Sequence, residues 1–166
     1  MAETLVSATS GGMAIGVLHQ ERPPSPARPV RLSPSPPNFV GRDGLLAEIH
    51  TRFTVGGGPP RLVVLAGLGG MGKTSAAVEF AHRHLDDYGL VWQIAAEDQA
   101  TASAGFADLA RLLGVRNLVD HADPVAQAHA ALAGSKDRWL LLLDNVTDAD
   151  SVRDLLPFRP VLETYC

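Results

Sequence analysis

The chain of 166 residues has a single cysteine, Cys166, and it is the last residue. An internal disulfide is therefore excluded, and a reducing compartment, the cytoplasm, is the expected location. Long hydrophobic runs are also missing. The most apolar stretch, "WLLLL" at residues 139–143, is far below the roughly 18–20 residues a membrane-spanning helix requires and reads as a buried strand. The first residues, "MAETLVSATSGGMAIGVLHQ", lack the basic start of a secretion signal. Basic excess is absent too: 14 Lys and Arg against 18 Asp and Glu leave a net charge of −4, with the cations scattered along the chain. Proteins that grip a phosphate backbone show a basic stripe or face. Neither nucleic acid nor a membrane is expected as a partner.

What is present suits one compact domain, because 46% of the residues are hydrophobic and domains commonly run about 100–200 residues. Seven of the twelve prolines fall between Pro23 and Pro37, in "RPPSPARPVRLSPSPP". This composition reads as a polyproline-like linker without a packed core. Residues 1–37 are accordingly expected to be disordered or weakly structured, and residues 38–166 to form the folded domain. From Asn38 the pattern becomes regular. Leu45, Leu46, Ile49 and Phe53 recur at helical spacing over residues 43–53, with Asp43 placed to cap. Residues 61–67 ("RLVVLAG") read as a buried strand, 73–85 as a helix, 89–96 as a second strand and 101–113 as a helix. A further helix at 124–133 precedes the strand "RWLLLLDNV". Strands alternating with helices predict an α/β fold, a mostly parallel sheet covered on both faces.

The segment "GLGGMGKT" fits the pattern G-x-x-x-x-G-K-[ST] in full and sits between an apolar run and a helix. The physics is specific. Glycines permit positive-φ turns, so successive N–H groups curl around a phosphate, and the helix start adds the positive end of its dipole. Gly67, Leu68, Gly69, Gly70, Met71 and Gly72 would form the cradle. Lys73 would reach the outer phosphates, Thr74 would offer its hydroxyl to Mg²⁺, and Ser75 would be a neighbouring contact.

A phosphate loop needs a second oxygen ligand for the metal, ordinarily an aspartate ending a nearby hydrophobic strand. Asp144 closes "WLLLLD", 70 residues after Thr74, at the carboxyl end where open α/β sheets bind ligands. Thr74 and Asp144 are thus the candidate metal ligands. The following residue, Asn145, can orient a water but cannot accept its proton. Binding is therefore expected to exceed turnover, with at most slow ATP hydrolysis.

With "FVGRDGLLAEI", the phosphate loop, "VWQIAAED" and "LLLLDNV" in this order, the chain resembles the NB-ARC domain of STAND-class P-loop NTPases, among them bacterial, especially actinobacterial, regulators. The likeness runs from about Asn38 to Pro157. It implies a three-layer P-loop NTPase fold, ATP or ADP with Mg²⁺ as cofactors, and self-association or effector domains in a full-length relative. It also points to Phe39, Val40, Gly41 and Arg42 as contacts to adenine and ribose. Relatives end a central strand with an arginine that senses the γ-phosphate. Here "PVLETYC", residues 160–166, falls about there, with Glu163 inside the run and Cys166 in place of the arginine. A truncated relative with a sheet incomplete at its C-terminal side is the expectation, with unpaired edges on the neighbouring strands. The alternatives are a P-loop phosphotransferase, for which no arginine-rich lid is visible, and an inactive remnant.

Other chemistry-bearing residues read as structural. His82 and His84 lie two apart on a helix, on different faces, and His50, His121 and His129 lack metal-ligand spacing. Asp98 fits a helix cap better than an acid–base pairing with Glu97. Trp92 and Trp139 on predicted strands read as core.

Overall fold

The structure, a computed structural model, describes residues 28–54, 62–115, 123–147 and 153–156. Three parallel strands lie in the order β1 (Val30–Arg31), β2 (Leu90–Ala95), β3 (Trp139–Asp144). Four helices flank them: α1 (Asp43–Thr54), α2 (Lys73–Arg83), α3 (Gln99–Leu112) and α4 (Pro124–Ala133). A 3₁₀ turn, Leu85–Asp87, follows α2.

Alternation along the strands divides the core in two. On one face of the sheet, Leu90, Trp92 and Ile94 pack with Trp139, Leu141 and Leu143 against Phe106 and Leu109 of α3 and Val125 and Leu132 of α4. On the other, Val91, Leu140 and Leu142 meet Leu46 and Ile49 of α1 and Phe80 and Ala81 of α2. This is a helix–sheet–helix sandwich, the three-layer α/β arrangement expected from the strand–helix alternation. Gly105 shows how closely α3 lies on β2: a Cβ there would come within 2.6 Å of Ile94 Cγ2. Trp92 is a core residue, and Trp139 packs partly buried against the same cluster. The helix after β2 is capped by Asp98, whose carboxylate accepts from Thr101 N at 2.8 Å and Thr101 Oγ1 at 2.9 Å. Those donors hold its carboxyl below the usual range, so the capping role is the one it takes.

Three expectations are corrected. Residues 62–67 form no strand. Val63 and Leu65 pack partly against the α1–α2 core, whereas Leu62 and Val64 stay 36% and 51% exposed. A strand needs a ladder partner, and among the described residues β3 pairs with β2 alone. For the same reason β3 is less buried than its leucines suggested, with only Leu140 fully inside. Second, ordered backbone begins before Asn38. Val30–Arg31 pair in register with Val91–Trp92, and Val91 N donates to Pro29 O at 3.1 Å. Proline lacks an N–H but keeps its carbonyl, so a short non-proline stretch inside a proline-rich segment can still edge a sheet. Third, Asp43 is the first residue of α1 and not its cap. Leu46 N donates to Arg42 O at 3.1 Å, and the Asp43 carboxylate pairs with Arg83 Nη1 at 3.0 Å. Residues 1–27, with the start of the linker, and "PVLETYC" lie outside the described residues, as does His121.

Candidate nucleotide-binding site

The loop from Gly67 to Gly72 delivers the chain to the start of α2. Gly72 has φ +74° and ψ 32°, and its carbonyl accepts the first helical bond from Ala76 N at 3.0 Å. Gly70 has φ +76°. Left-handed residues at these two points turn the loop sharply, and within the turn Met71 N donates to Leu68 O at 3.4 Å.

Lys73 is the first residue of α2, and its ammonium donates to Gly67 O at 2.8 Å and Leu68 O at 2.9 Å. The lysine thus arches over the loop that it is expected to share with phosphate. Thr74 follows it, and its hydroxyl donates to Asp144 Oδ1 at 2.6 Å. Two oxygen-bearing side chains that lie 70 residues apart in sequence therefore converge at the mouth of the loop. The register explains how. Asp144 is the last residue of β3, and with Leu140 and Leu142 it points to the α1–α2 side, where α2 begins with Lys73 and Thr74. Asn145 stands at φ 60°, a left-handed conformation that asparagine tolerates better than most residues. Its N–H donates back to Asp144 Oδ1 at 3.0 Å.

Upstream, the four residues 39–42 part company. Arg42 reaches the loop itself, donating from Nη1 to Gly72 O at 3.3 Å and from Nη2 to Met71 O. Phe39 packs partly into the α1–α2 core, with the Arg83 guanidinium 6.0 Å from its ring centroid. Val40 is 83% exposed, and Gly41 makes a turn at φ +77°. Leu68 and Met71, at the variable positions of the loop, are also exposed. Ser75 lies half-buried one residue beyond Thr74.

The histidines stay apart from this site. His82 Nε2 meets Ser33 O at 2.9 Å, His84 pairs with Asp87, and His50 stacks on His84. Among the described residues, no group of three His, Cys, Asp or Glu side chains could hold a metal. The one carboxylate at the loop therefore stands with a hydroxyl, a donor set suited to a hard cation shared with phosphate.

A family model described as AAA ATPase domain matches residues 38–158. The chain belongs to that family. The match spans the loop, Thr74 and Asp144, and it identifies a nucleotide-binding P-loop module. The relatives agree. Regulatory protein AfsR of Streptomyces griseus is 33% identical over 141 residues, covering 80% of this chain and 14% of that protein. A nucleotide-binding leucine-rich repeat (NLR)-like protein of Hyaloscypha variabilis is 34% identical over 123 residues, covering 68% of this chain and 12% of that protein. AfsR of Streptomyces coelicolor is 30% identical over 143 residues, covering 78% and 14%. The chain thus spans about one-seventh of the length of the curated relatives it matches. No solved structure matches it. The NB-ARC resemblance carried by "FVGRD", the loop and the Asp144 strand accords with the family match and with both kinds of relative.

The motif residues were legible from the sequence, but two of the site's contacts were not. One is the grip of Arg42 on the loop carbonyls. The other is Gln93 on β2, which donates from Nε2 to Asp144 Oδ2 at 3.1 Å. A polar residue in the middle of an otherwise apolar strand, "LVWQIA", is the one signal that could have marked it.

Proposed function

We propose that the chain is the ATP- or ADP-binding module of a STAND-type signal-transduction regulator, holding nucleotide with Mg²⁺ and favouring binding over turnover. The observation that carries this reading is the convergence of Thr74 Oγ1 and Asp144 Oδ1 at 2.6 Å, at the end of a loop whose carbonyls the Lys73 ammonium spans. A phosphate-bound Mg²⁺ takes only one or two protein oxygens, and these residues supply that set. Bound there, the ion would neutralise charge on the outer phosphates.

The protein's own residues supply the remainder. Lys73, whose ammonium donates to Gly67 O and Leu68 O, would hold the outer phosphates. Arg42 donates to the Met71 and Gly72 carbonyls, which would brace the loop around a bound nucleotide. Asp144 stays oriented by three donors, Thr74, Asn145 and Gln93. Asn145 stands where a general base would be useful, and its amide takes up no proton at any working pH. A water can be positioned there but not deprotonated, which favours a long-lived bound state. The regulatory and NLR-like descriptions of the relatives support a signalling setting for such a state.

The test is nucleotide affinity measured with and without Mg²⁺ for the natural chain and Asp144→Ala. The Mg²⁺-dependent gain is expected in the first and lost in the second, with metal-free ADP affinity retained. An equal Mg²⁺ dependence in both would remove Asp144 from the site.

A further inference from the structure

Gln93 lies on β2 opposite Leu142 of β3, and Ala95 lies opposite Asp144. Gln93 and Asp144 are therefore diagonal neighbours on one face of the parallel sheet. Their contact is Nε2 to Oδ2 at 3.1 Å in a partly buried setting. The other end of the same amide is also engaged: Ser33 N donates to Gln93 Oε1 at 2.8 Å. This pair of contacts fixes the orientation of the amide chemically. A backbone N–H can only donate, so the atom facing Ser33 must be oxygen, and the NH₂ is left to meet the carboxylate.

Ser33 belongs to the segment that carries β1, and that segment is pinned to the domain along its length. Arg28 pairs with Asp86 at 2.9 Å, and Arg31 pairs with Asp108 at 3.0 Å while lying over the Trp92 ring. His82 holds Ser33 O, and Ser35 Oγ donates to Glu79 Oε2 at 2.7 Å. All of this precedes residue 38, where the family match begins.

We propose that Gln93 is a positioning residue for the metal aspartate, oriented by the Ser33 N–H, so that docking of the 28–35 segment sets how well Asp144 serves Mg²⁺. This rests on the nucleotide-and-Mg²⁺ reading of the site. The Oδ1 atom of Asp144 already takes two donors, from Thr74 and Asn145. The amide of Gln93 engages the remaining oxygen and so determines the rotation of the carboxylate about its bond to Cβ. A carboxylate that ligates a metal is ordinarily held by such an outer partner, whose removal weakens metal affinity about 10–100-fold.

The experiment is calorimetric titration of the 166-residue chain with ADP across a Mg²⁺ series, for the natural sequence, Gln93→Met, Ser33→Pro and Asp144→Ala. Methionine keeps the length and shape of glutamine without its donor. Proline at position 33 removes the N–H that orients the amide and keeps the carbonyl that His82 holds, in a segment already rich in proline. About a tenfold loss of the Mg²⁺-dependent gain is expected for Gln93→Met, with metal-free ADP affinity within twofold of the natural chain. Ser33→Pro, which touches neither Asp144 nor the loop, should lose part of the same gain. A simple loss of fold would depress both affinities together, which sets it apart from a positioning role. If Asp144→Ala abolishes the Mg²⁺ gain while Gln93→Met leaves it intact, the role of Gln93 is overturned and the site reading stands. If neither variant changes the Mg²⁺ dependence, the site reading itself falls and the proposal with it.

Discussion

Gly72→Ala tests the phosphate loop at the point where its backbone is most constrained. Gly72 sits at φ +74°, where an L side chain costs about 1–2 kcal/mol. A Cβ there would also lie 3.3 Å from Arg42 Nη1 and 3.4 Å from Nη2. The guanidinium must then back away by a few tenths of an ångström, weakening its bonds to Met71 O and Gly72 O. Alanine offsets part of this by stiffening the unfolded chain, a gain of about 0.4–1 kcal/mol. The net loss of stability should be about 1 kcal/mol, a melting shift of a few degrees. The loss in binding should be larger in proportion. If the free loop relaxes out of the left-handed turn, nucleotide must restore it at a cost of up to about 1–2 kcal/mol, roughly 5–30-fold in affinity. Gly69 provides the control, because a Cβ there meets nothing within 4 Å and its φ lies outside the left-handed region. The assay is calorimetric ADP affinity with thermal unfolding in parallel for both variants. Equal affinities for Gly72→Ala and Gly69→Ala, whether high or low, would refute the argument from backbone conformation.

Two further outcomes follow from the core. Gly105→Ala would push a methyl to 2.6 Å from Ile94 Cγ2, so overpacking between α3 and β2 should lower stability by about 1–3 kcal/mol, measured by denaturant unfolding; an unchanged midpoint would show that the helix can lift freely. His129 is half-buried, donates from Nε2 to Leu155 O at 3.0 Å and meets the edge of Phe106. Burial pushes its pKa below the ordinary 6.5. The unfolded chain therefore takes up a proton near pH 6.5 while the folded chain resists until lower pH, so stability is full above that value and falls as the pH drops below it. His129→Gln should flatten this part of the stability profile, and an identical slope in both proteins would exclude His129 as its source.

The loop, the lysine, the threonine and the closing aspartate could be read directly because each is a local pattern whose chemistry demands those residue types. Helices α1 to α4 were likewise legible from apolar spacing and from caps such as Asp98. What escaped the sequence depends on partners distant in the chain. Residues 62–67 have the composition of a strand, yet a strand exists only if another strand bonds to it, and composition cannot supply that neighbour. Val30–Arg31 failed the opposite way: the surrounding prolines pointed to a linker, while two ordinary residues and one proline carbonyl were enough to edge β2. Arg42 could be singled out, but not its direction, because a guanidinium beside a turn can serve a ligand or a loop carbonyl equally well. Gln93 is the one polar residue of β2, and only the register of β2 against β3 shows that it stands diagonal to Asp144.

The central claim is that "GLGGMGKT" grips a nucleotide, and calorimetric titration of ADP and ATP into the natural chain and Lys73→Ala tests it most directly. Removing a charged donor from the phosphates should weaken binding by about 1.5–3 kcal/mol, roughly 10–150-fold. The natural chain should bind both nucleotides and the variant far more weakly. Equal affinity in the two proteins, or binding in neither, would contradict the account.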